Sequence, residues 1–284
     1  MIIIDLSQVM IATLMAQLGN HTNAEVDENL LRHMVLNSIR ANRTKFAKDY
    51  PGEFIIAADG KASWRKEVFP YYKANRKRDR DASELNWNLI FESLNKIRDE
   101  LKEFFPYRVI HIDHVEADDV IATLVKNRKN PLEKVLILSG DKDFQQLQRY
   151  PNVYQYSPVL KKYITCKNPD AYLKEHIIRG DVGDGVPNFL SSDDSLVTGT
   201  RQKPISAKKL ESWLPSSPEQ FCTQDMLRGF KRNQQLVDFD FIPDNLSQAI
   251  MEEYDNQSDK DRSKLFNYFV SNKLKGLTEA INDF

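Results

Sequence analysis

Only two cysteines, Cys166 and Cys222, occur in 284 residues. Neither stands in a CxxC pair or near a histidine at zinc spacing, so a structural zinc and a disulfide framework are both excluded, and the two read as ordinary buried or half-buried thiols. No run approaches the roughly 20 apolar residues of a membrane span. The start Met1-Ile2-Ile3-Ile4-Asp5 lacks the basic region and the length of a signal peptide, so a cytoplasmic protein is expected. There is no excess of one charge either: 40 Lys+Arg against 41 Asp+Glu leave a net −1, which taken alone speaks against a nucleic-acid partner. The five histidines, His21, His33, His111, His114 and His176, are scattered and read as solvated or satisfied groups. No Ser/His/Asp or Cys/His arrangement and no internal repeat is present.

What the chain does have is 41% hydrophobic residues, enough for a large core in one big domain or two smaller ones. The near-neutral total also hides two opposed fields. Basic residues bunch at Lys61, Arg65, Lys66, Lys73, Arg76, Lys77, Arg78 and Arg80, while acids stand at the ends of short aliphatic runs. These runs are Ile2–Ile4 before Asp5, Phe54–Ala58 before Asp59, Val109–Ile112 before Asp113, and Val135–Leu138 before Ser139-Gly140-Asp141. Continuous apolar strands of this kind are buried on both faces, as in a parallel sheet. Between them, Leu30 to Ile39 and Leu85 to Leu101 carry helical periodicity and suit the crossovers of an α/β doubly wound sheet, whose ligands bind beyond the carboxyl ends of the strands. After about Pro158 the apolar β-runs stop. The expected division is 1–165, α/β, and 166–284, helical, with Ser191 to Pro204 as a surface loop.

The acids singled out by position are Asp5, Asp59, Glu116, Asp118, Asp119, Asp141, Asp143, Asp181 and Asp184. A single Asp after a strand is most simply a turn residue or a helix N-cap. Four such coincidences, and the local spacings Glu116-Ala-Asp118-Asp119 and Asp141-Lys-Asp143, weaken that reading. Two unit charges about 4 Å apart at an effective dielectric near 20 repel by about 4 kcal/mol, so clustered carboxylates need protons or cations. Oxygen-only ligands select hard divalent ions, Mg²⁺ or Mn²⁺. Carboxylates around two such ions are what in-line phosphodiester displacement needs. Lys73, Arg76, Lys77 and Arg80 follow i, i+3, i+4, i+7 spacing and predict one basic helix face, with Tyr71 and Tyr72 beside it able to stack on a splayed base. A plain solvated charged helix is the competing reading.

Trp64-Arg65…Tyr71-Tyr72-Lys73-Ala-Asn-Arg76, Glu116-Ala-Asp-Asp119, Ser139-Gly-Asp-Lys-Asp143-Phe-Gln-Gln-Leu147 and Gly180-Asp-Val-Gly-Asp184-Gly-Val-Pro187, in this order along the chain, resemble the 5′-nuclease (flap endonuclease) family over nearly the whole chain. The resemblance implies a PIN-like, mostly parallel twisted sheet flanked by helices, a helical arch around 61–100, and a C-terminal helix-hairpin-helix domain that grips duplex phosphates. It implies two Mg²⁺, with Mn²⁺ as substitute: the first ion at Asp59, Glu116, Asp118, Asp141 and Asp143, the second at Asp5, Asp143, Asp181 and Asp184, with Asp119 either a further ligand or a residue behind the ligands in a structural ion pair. Lys73 and Arg65 would reach the scissile phosphate; Tyr72, Arg76, Lys77, Arg80, Lys208 and Lys209 would contact nucleic acid. The glycine hairpin followed by Lys-Thr-Ala that the family carries is missing, which puts a monovalent ion in the hairpin in doubt.

The implied activity is 5′-to-3′ exonuclease, flap endonuclease and ribonuclease H cleavage of DNA and RNA:DNA hybrids by a monomer, removing primers in lagging-strand synthesis. Two rivals are a PIN-type ribonuclease for single-stranded RNA, which lacks the arch and the helical domain, and a catalytically silent DNA-binding protein, which would have lost acids. The stripe Leu274, Leu277, Ile281, Phe284 suits docking on a sliding clamp or a single-strand-binding protein, but packing against its own domain is the plainer reading.

Overall fold

The computed structural model describes residues 1–18, 27–82 and 85–284. Its first half is built on strands β1 (Ile2–Asp5), β2 (Phe54–Ala57), β3 (Arg108–Ile110), β4 (Val135–Leu138), β5 (Val153–Ser157) and β6 (Lys162–Ile164). They form one sheet in the order β3-β2-β1-β4-β5-β6. All neighbours pair in parallel except β5 and β6. The first four strands lie where the aliphatic runs predict them. The last two carry polar and aromatic residues, Val-Tyr-Gln-Tyr-Ser and Lys-Tyr-Ile, and leave no comparable signal; β6 is an exposed antiparallel edge, where an apolar run is not needed.

The helices are α1 (Leu6–Leu18), α2 (Glu28–Phe46), α3 (Arg65–Val68), α4 (Ala74–Asp81), α5 (Trp87–Phe104) and α6 (Ala117–Lys126). After a 3₁₀ turn at Lys142–Arg149 come α7 (Pro169–Arg179), α8 (Ser195–Thr198), α9 (Ala207–Trp213), α10 (Pro218–Phe221), α11 (Gln224–Val237), α12 (Asp244–Asp255), α13 (Leu265–Ser271) and α14 (Lys275–Glu279).

Alternate side chains of each strand go to opposite faces. Ile2, Ile4, Ile56, Leu136 and Leu138 pack with α1, α2 and α5. Ile3, Ile55, Ile110 and Ile137 pack with α6. With both faces covered, each fully buried aliphatic side chain contributes about 1.5–3 kcal/mol, and slipping the register would lose many at once.

The helices after residue 165 divide between two packings. Leu173, Ile177 and Ile178 of α7, Leu210 of α9 and Phe230 of α11 form a separate core that also takes in Phe69 and Tyr72. Residues 239–284 instead return to the sheet: Phe239 and Ile250 complete one face, and Leu265, Tyr268, Phe269, Leu274, Leu277 and Phe284 the other. Phe284 is fully buried, with its ring 5.7 Å from that of Phe105 and 5.2 Å from that of Phe269. The C-terminal stripe is therefore core, not a free docking segment.

The winding of the sheet reverses between β1 and β4, so Asp5 and the Ser139-Gly140-Asp141 turn flank the switch-point crevice where open α/β sheets bind ligands. No helix of the described residues is long and apolar enough to cross a membrane. Cys166 and Cys222 are free and half-buried.

Candidate active site

Four carboxylates meet at the crevice, each delivered by a different element. Asp5 ends β1; its Oδ1 accepts from Gln8 N at 3.1 Å and its Oδ2 from Ser139 Oγ at 3.1 Å. Asp59 follows β2 and accepts from Ala117 N at 2.8 Å, which ties it to the start of α6. Asp118 stands in the first turn of α6. Asp141 caps the 3₁₀ turn after β4, its Oδ1 accepting from Asp143 N at 2.9 Å. The modest reading of such an Asp as a cap is thus correct for Asp141, and the residue faces its fellow acids as well.

The crowding of charge is visible in the proton affinities of Asp5, Asp118 and Asp141. Burial, then Asp59 and Asp141, push Asp5 up to about 7. Burial, then Asp143, push Asp141 up to about 6. Burial and Asp141 hold Asp118 well above the usual carboxylate range, against the pull of Lys73. The resemblance grouped Asp5 with Asp181 and Asp184; in the fold its acidic neighbours are Asp59, Asp118 and Asp141, because β1 lies between β2 and β4.

These raised values have a consequence for stability. The folded apo protein binds more protons at Asp5 and Asp141 than the unfolded chain does between about pH 4 and pH 7, so its stability falls as pH rises through that window. Thermal melts in chelator are expected to give a higher Tm near pH 5 than near pH 7.5, and saturating divalent ions should remove much of the difference. A Tm that rises with pH in chelator would show that the repulsion is not there.

Beside the four acids lies a second layer, in which charges are paired. Lys73 Nζ is 2.5 Å from Glu116 Oε1 and 3.7 Å from Asp184 Oδ2. Tyr72 OH donates within 3.0 Å of Glu116 Oε2 and 3.1 Å of Asp184 Oδ2, and Arg76 pairs with Asp184 Oδ1 at 2.5 Å. Burial alone would raise Glu116, yet Lys73 and Arg65 outweigh it and hold the carboxyl down at about 2. Lys73 itself has φ +55°, a left-handed conformation uncommon for a non-glycine residue and worth reading as a functional constraint. Its N–H donates to Asp184 O at 2.7 Å. Lys73 immediately precedes the helix that begins at Ala74 and points into the acids, and Arg76 on that helix reaches the same Asp184 carboxylate.

Two expectations need correction. Tyr72 is buried, with its hydroxyl committed to Glu116 and Asp184, and offers no face to a base. Arg65 is 3% exposed and each of its three guanidinium nitrogens is engaged: Nε by Leu236 O at 2.8 Å, Nη1 by Glu116, Nη2 by Asp119. It lies beneath the site and cannot reach a phosphate. Asp119, for which a ligand role and a structural ion pair both stood open, is wholly buried and makes the ion pair with Arg65. Its Oδ1 accepts from Arg65, and its Oδ2 from Trp64 Nε1, Arg65 Nη1 and Glu116 N. The Arg65–Asp119 pair therefore positions Glu116. Arg65→Ala should destabilise the protein by about 3–5 kcal/mol, because it strands a buried carboxylate; denaturant melts showing less than about 1 kcal/mol would mean that water reaches Asp119.

A third group comes from the 180–187 hairpin. Asp181 and Val186 exchange backbone hydrogen bonds at 2.8 and 2.7 Å. Gly180, at φ +68°, lies so close to Pro187 O that a Cβ there would stand 2.4 Å from it. Asp181 Oδ1 accepts from Gly183 N at 2.8 Å, which leaves Oδ2 facing Lys142 Nζ at 3.0 Å and His176 Nε2 at 3.6 Å. Asp143, from the 3₁₀ turn, is 3.1 Å from the same imidazole nitrogen. His176, one of five scattered histidines in the sequence, lies one helical turn before the Gly180 motif, and that spacing is the sequence signal for its place here.

Of the expected nucleic-acid contacts, Arg76 is half exposed, Arg80 lies 5.7 Å over the Phe91 ring, and Lys208 and Lys209 are exposed on α9. The Lys77 side chain lies outside the described residues. The 191–204 loop is tied down through Asn188: its N–H donates to Gln202 Oε1 at 2.7 Å and its Nδ2 to Lys203 O at 2.9 Å. Arg232 anchors Asp193 at 2.5 Å.

The sequence matches two families: "5'-3' exonuclease, N-terminal resolvase-like domain" over residues 1–176 and "T4 RNase H, C terminal" over residues 168–284. Ribonuclease H of Enterobacteria phage T4 is 35% identical over 292 residues, covering 99% of this chain and 95% of that protein. Flap endonuclease Xni of Shewanella woodyi is 32% identical over 48% of this chain and 54% of its own length. Among solved structures, the T5 5'-exonuclease with bound divalent metal ions (zinc) superposes with a TM-score of 0.59 at 19% identity, covering 89% of this chain and 98% of that one. A complex of the bacteriophage T5 flap endonuclease with DNA and metal ions gives 0.60 at 20%, with the same coverage.

Proposed function

Because the chain belongs to the 5′-to-3′ exonuclease and flap endonuclease family, a family of metal-dependent phosphodiesterases, we propose that it removes nucleotides from 5′ ends and flaps of DNA and RNA:DNA hybrids. Two Mg²⁺, replaceable by Mn²⁺, would serve it, and its task would be the clearing of RNA primers during lagging-strand synthesis. The observation that carries this reading is the convergence of Asp5, Asp59, Asp118 and Asp141 with proton affinities raised to about 7 at Asp5 and about 6 at Asp141. A set of repelling oxygen donors is destabilised without a cation and suits a hard divalent ion.

Ions bound there would activate the attacking water and hold the charge that develops in in-line displacement. The chain's own residues divide the remaining work. Asp5, Asp59, Asp118 and Asp141 form one ligand set, and Asp143 and Asp181 a second, with Asp184 and Glu116 between them and Lys73. Arg65 and Asp119 hold Glu116 in place. Lys73, already among the acids, neutralises charge at the scissile phosphate. Arg76 and Arg80 line the arch side of the crevice, Lys77 of the same segment would add a further nucleic-acid contact, and Lys208 and Lys209 contact the duplex.

In this reading residues 1–165 carry the chemistry and 166–284 the duplex grip, which falls to 169–237, since 239–284 buttress the sheet. The protein would act as a monomer in the cytoplasm. A sliding clamp or a single-strand-binding protein would have to dock elsewhere than on the buried Leu274–Phe284 stripe. A 5′-labelled DNA flap and an RNA:DNA hybrid, incubated with Mg²⁺ or with chelator and sized on a gel, test the proposal. Short 5′ products with Mg²⁺ alone are expected; cleavage confined to single-stranded RNA would favour a ribonuclease, and binding without any cleavage a silent DNA-binding protein.

A further inference from the structure

His176 lies on α7, its ring stacked on Tyr172 with planes 9° apart and centroids 6.0 Å apart. The residue is 8% exposed. Its Nε2 is 3.1 Å from Asp143 Oδ1 and 3.6 Å from Asp181 Oδ2, distances at which a protonated imidazole pairs with both carboxylates, while with the imidazole neutral Nε2 and Asp143 Oδ1 are buried without a well-directed hydrogen bond among the described residues. Buried polar atoms left in this state call for an explanation such as an ion. The three donor atoms lie within 4.8 Å of one another. Around an octahedral ion with ligands at about 2.1 Å, neighbouring donors are about 3.0 Å apart and opposite ones about 4.2 Å, so the three can close on one ion with small side-chain movements.

From this geometry we infer that His176 is a nitrogen ligand of a divalent ion shared with Asp143 and Asp181, which gives this position a preference for Mn²⁺, Co²⁺ or Zn²⁺ over Mg²⁺. The inference rests on the acidic crevice being a metal site and adds a donor to it. Imidazole suits the borderline transition ions, whereas carboxylate and water suit Mg²⁺, so one nitrogen among oxygens shifts the order of affinities. The elements around the imidazole are already arranged for the exchange. Asp181 Oδ1 is held by the hairpin backbone, which leaves Oδ2 for an ion. Lys142, the cation now 3.0 Å from that Oδ2, is half exposed and can swing into solvent. Tyr172 limits rotation of the ring.

The test is to load the full-length protein with Mn²⁺ and record electron spin-echo modulation from nitrogen directly bound to the ion. Wild-type protein is expected to show imidazole nitrogen coupling, shifted by ¹⁵N-histidine labelling. His176→Gln should lose it while still binding Mn²⁺ at the oxygen-ligated position. In equilibrium dialysis the same variant should lose at least about tenfold in affinity for Co²⁺ at one of two positions, since even residues behind a ligand change metal affinity tenfold to a hundredfold, with a smaller loss for Mg²⁺. His176→Ala serves as a second variant, with circular dichroism to verify the fold of both. Two bound Mn²⁺ without nitrogen coupling in the wild type would overturn the histidine ligand and leave the acidic site standing. No bound ion at all would overturn both.

Discussion

Asp118→Asn protein is expected to bind a 5′ flap with near-normal affinity and to leave it uncut. Asp118 stands in the first turn of α6, where Asp141 and Asp5 face it, and burial and Asp141 raise its proton affinity well above the carboxylate norm. On the proposed reading an amide there would remove one oxyanion ligand, and ions so held would contribute several kcal/mol of transition-state stabilisation. At about 1.4 kcal/mol per factor of ten, a loss of a thousandfold or more in single-turnover rate follows. The same change removes one of several repelling charges, so the apo protein should melt at the same temperature or higher. Asp141→Asn should behave alike on both counts. Asp118→Asn protein that turned over at the wild-type rate in Mg²⁺ would show that Asp118 is no ligand.

Lys73→Ala separates a catalytic cation from a basic grip. A contact that serves only binding adds about one unit to the salt dependence of affinity and leaves saturated turnover almost unchanged. A donor aimed at charge that grows in the transition state lowers turnover by about a hundredfold to a thousandfold when removed. Lys73 is 84% buried, is pushed toward permanent protonation by Glu116 and Asp184 against the effect of burial, and sits in a left-handed backbone conformation pinned to Asp184 O. A residue placed at such cost inside the acids is not a surface grip. Flap binding should therefore survive the substitution while single-turnover cleavage falls by that factor. Glu116 keeps Arg65 and Tyr72, so the fold should persist. Arg80→Ala, whose guanidinium lies 5.7 Å over the Phe91 ring, is the control and should change affinity and its salt slope. Equal, purely affinity-based losses in the two variants would remove Lys73 from the catalytic list.

Much of the fold was legible because its determinants are local. Four aliphatic runs mark β1 to β4, since a strand buried on both faces must be apolar throughout. An acid after each of the first two and at the Ser139-Gly140-Asp141 turn marks the ends that face the crevice. The edge pair β5 and β6 was not legible, because an edge with one solvated side accepts Tyr, Gln and Lys. Helical periodicity marked α2 and α5, but nothing local told that residues 239–284 return to the sheet. Leu265 and Phe269 look the same in sequence whether their partner is the next helix or β1.

The sequence by itself determined the family, the α/β class and the set of acids from which the site is made, because residue type and order along the chain are enough to specify them. Tertiary structure alone decided what each charge does. Arg65 and Lys73 are both cations in one short basic segment, yet one is sealed beneath Glu116 with Asp119 and the other lies among the acids. Asp118 and Asp119 are adjacent carboxylates, yet one turns to the crevice and the other to a buried guanidinium. His176, unremarkable in sequence, ends beside Asp143 and Asp181. The physical reason is that a charge's role depends on which opposite charges and how much water surround it within a few ångströms, and those neighbours come from elements 50 to more than 100 residues apart, as Arg65 from Glu116 and Lys73 from Asp184.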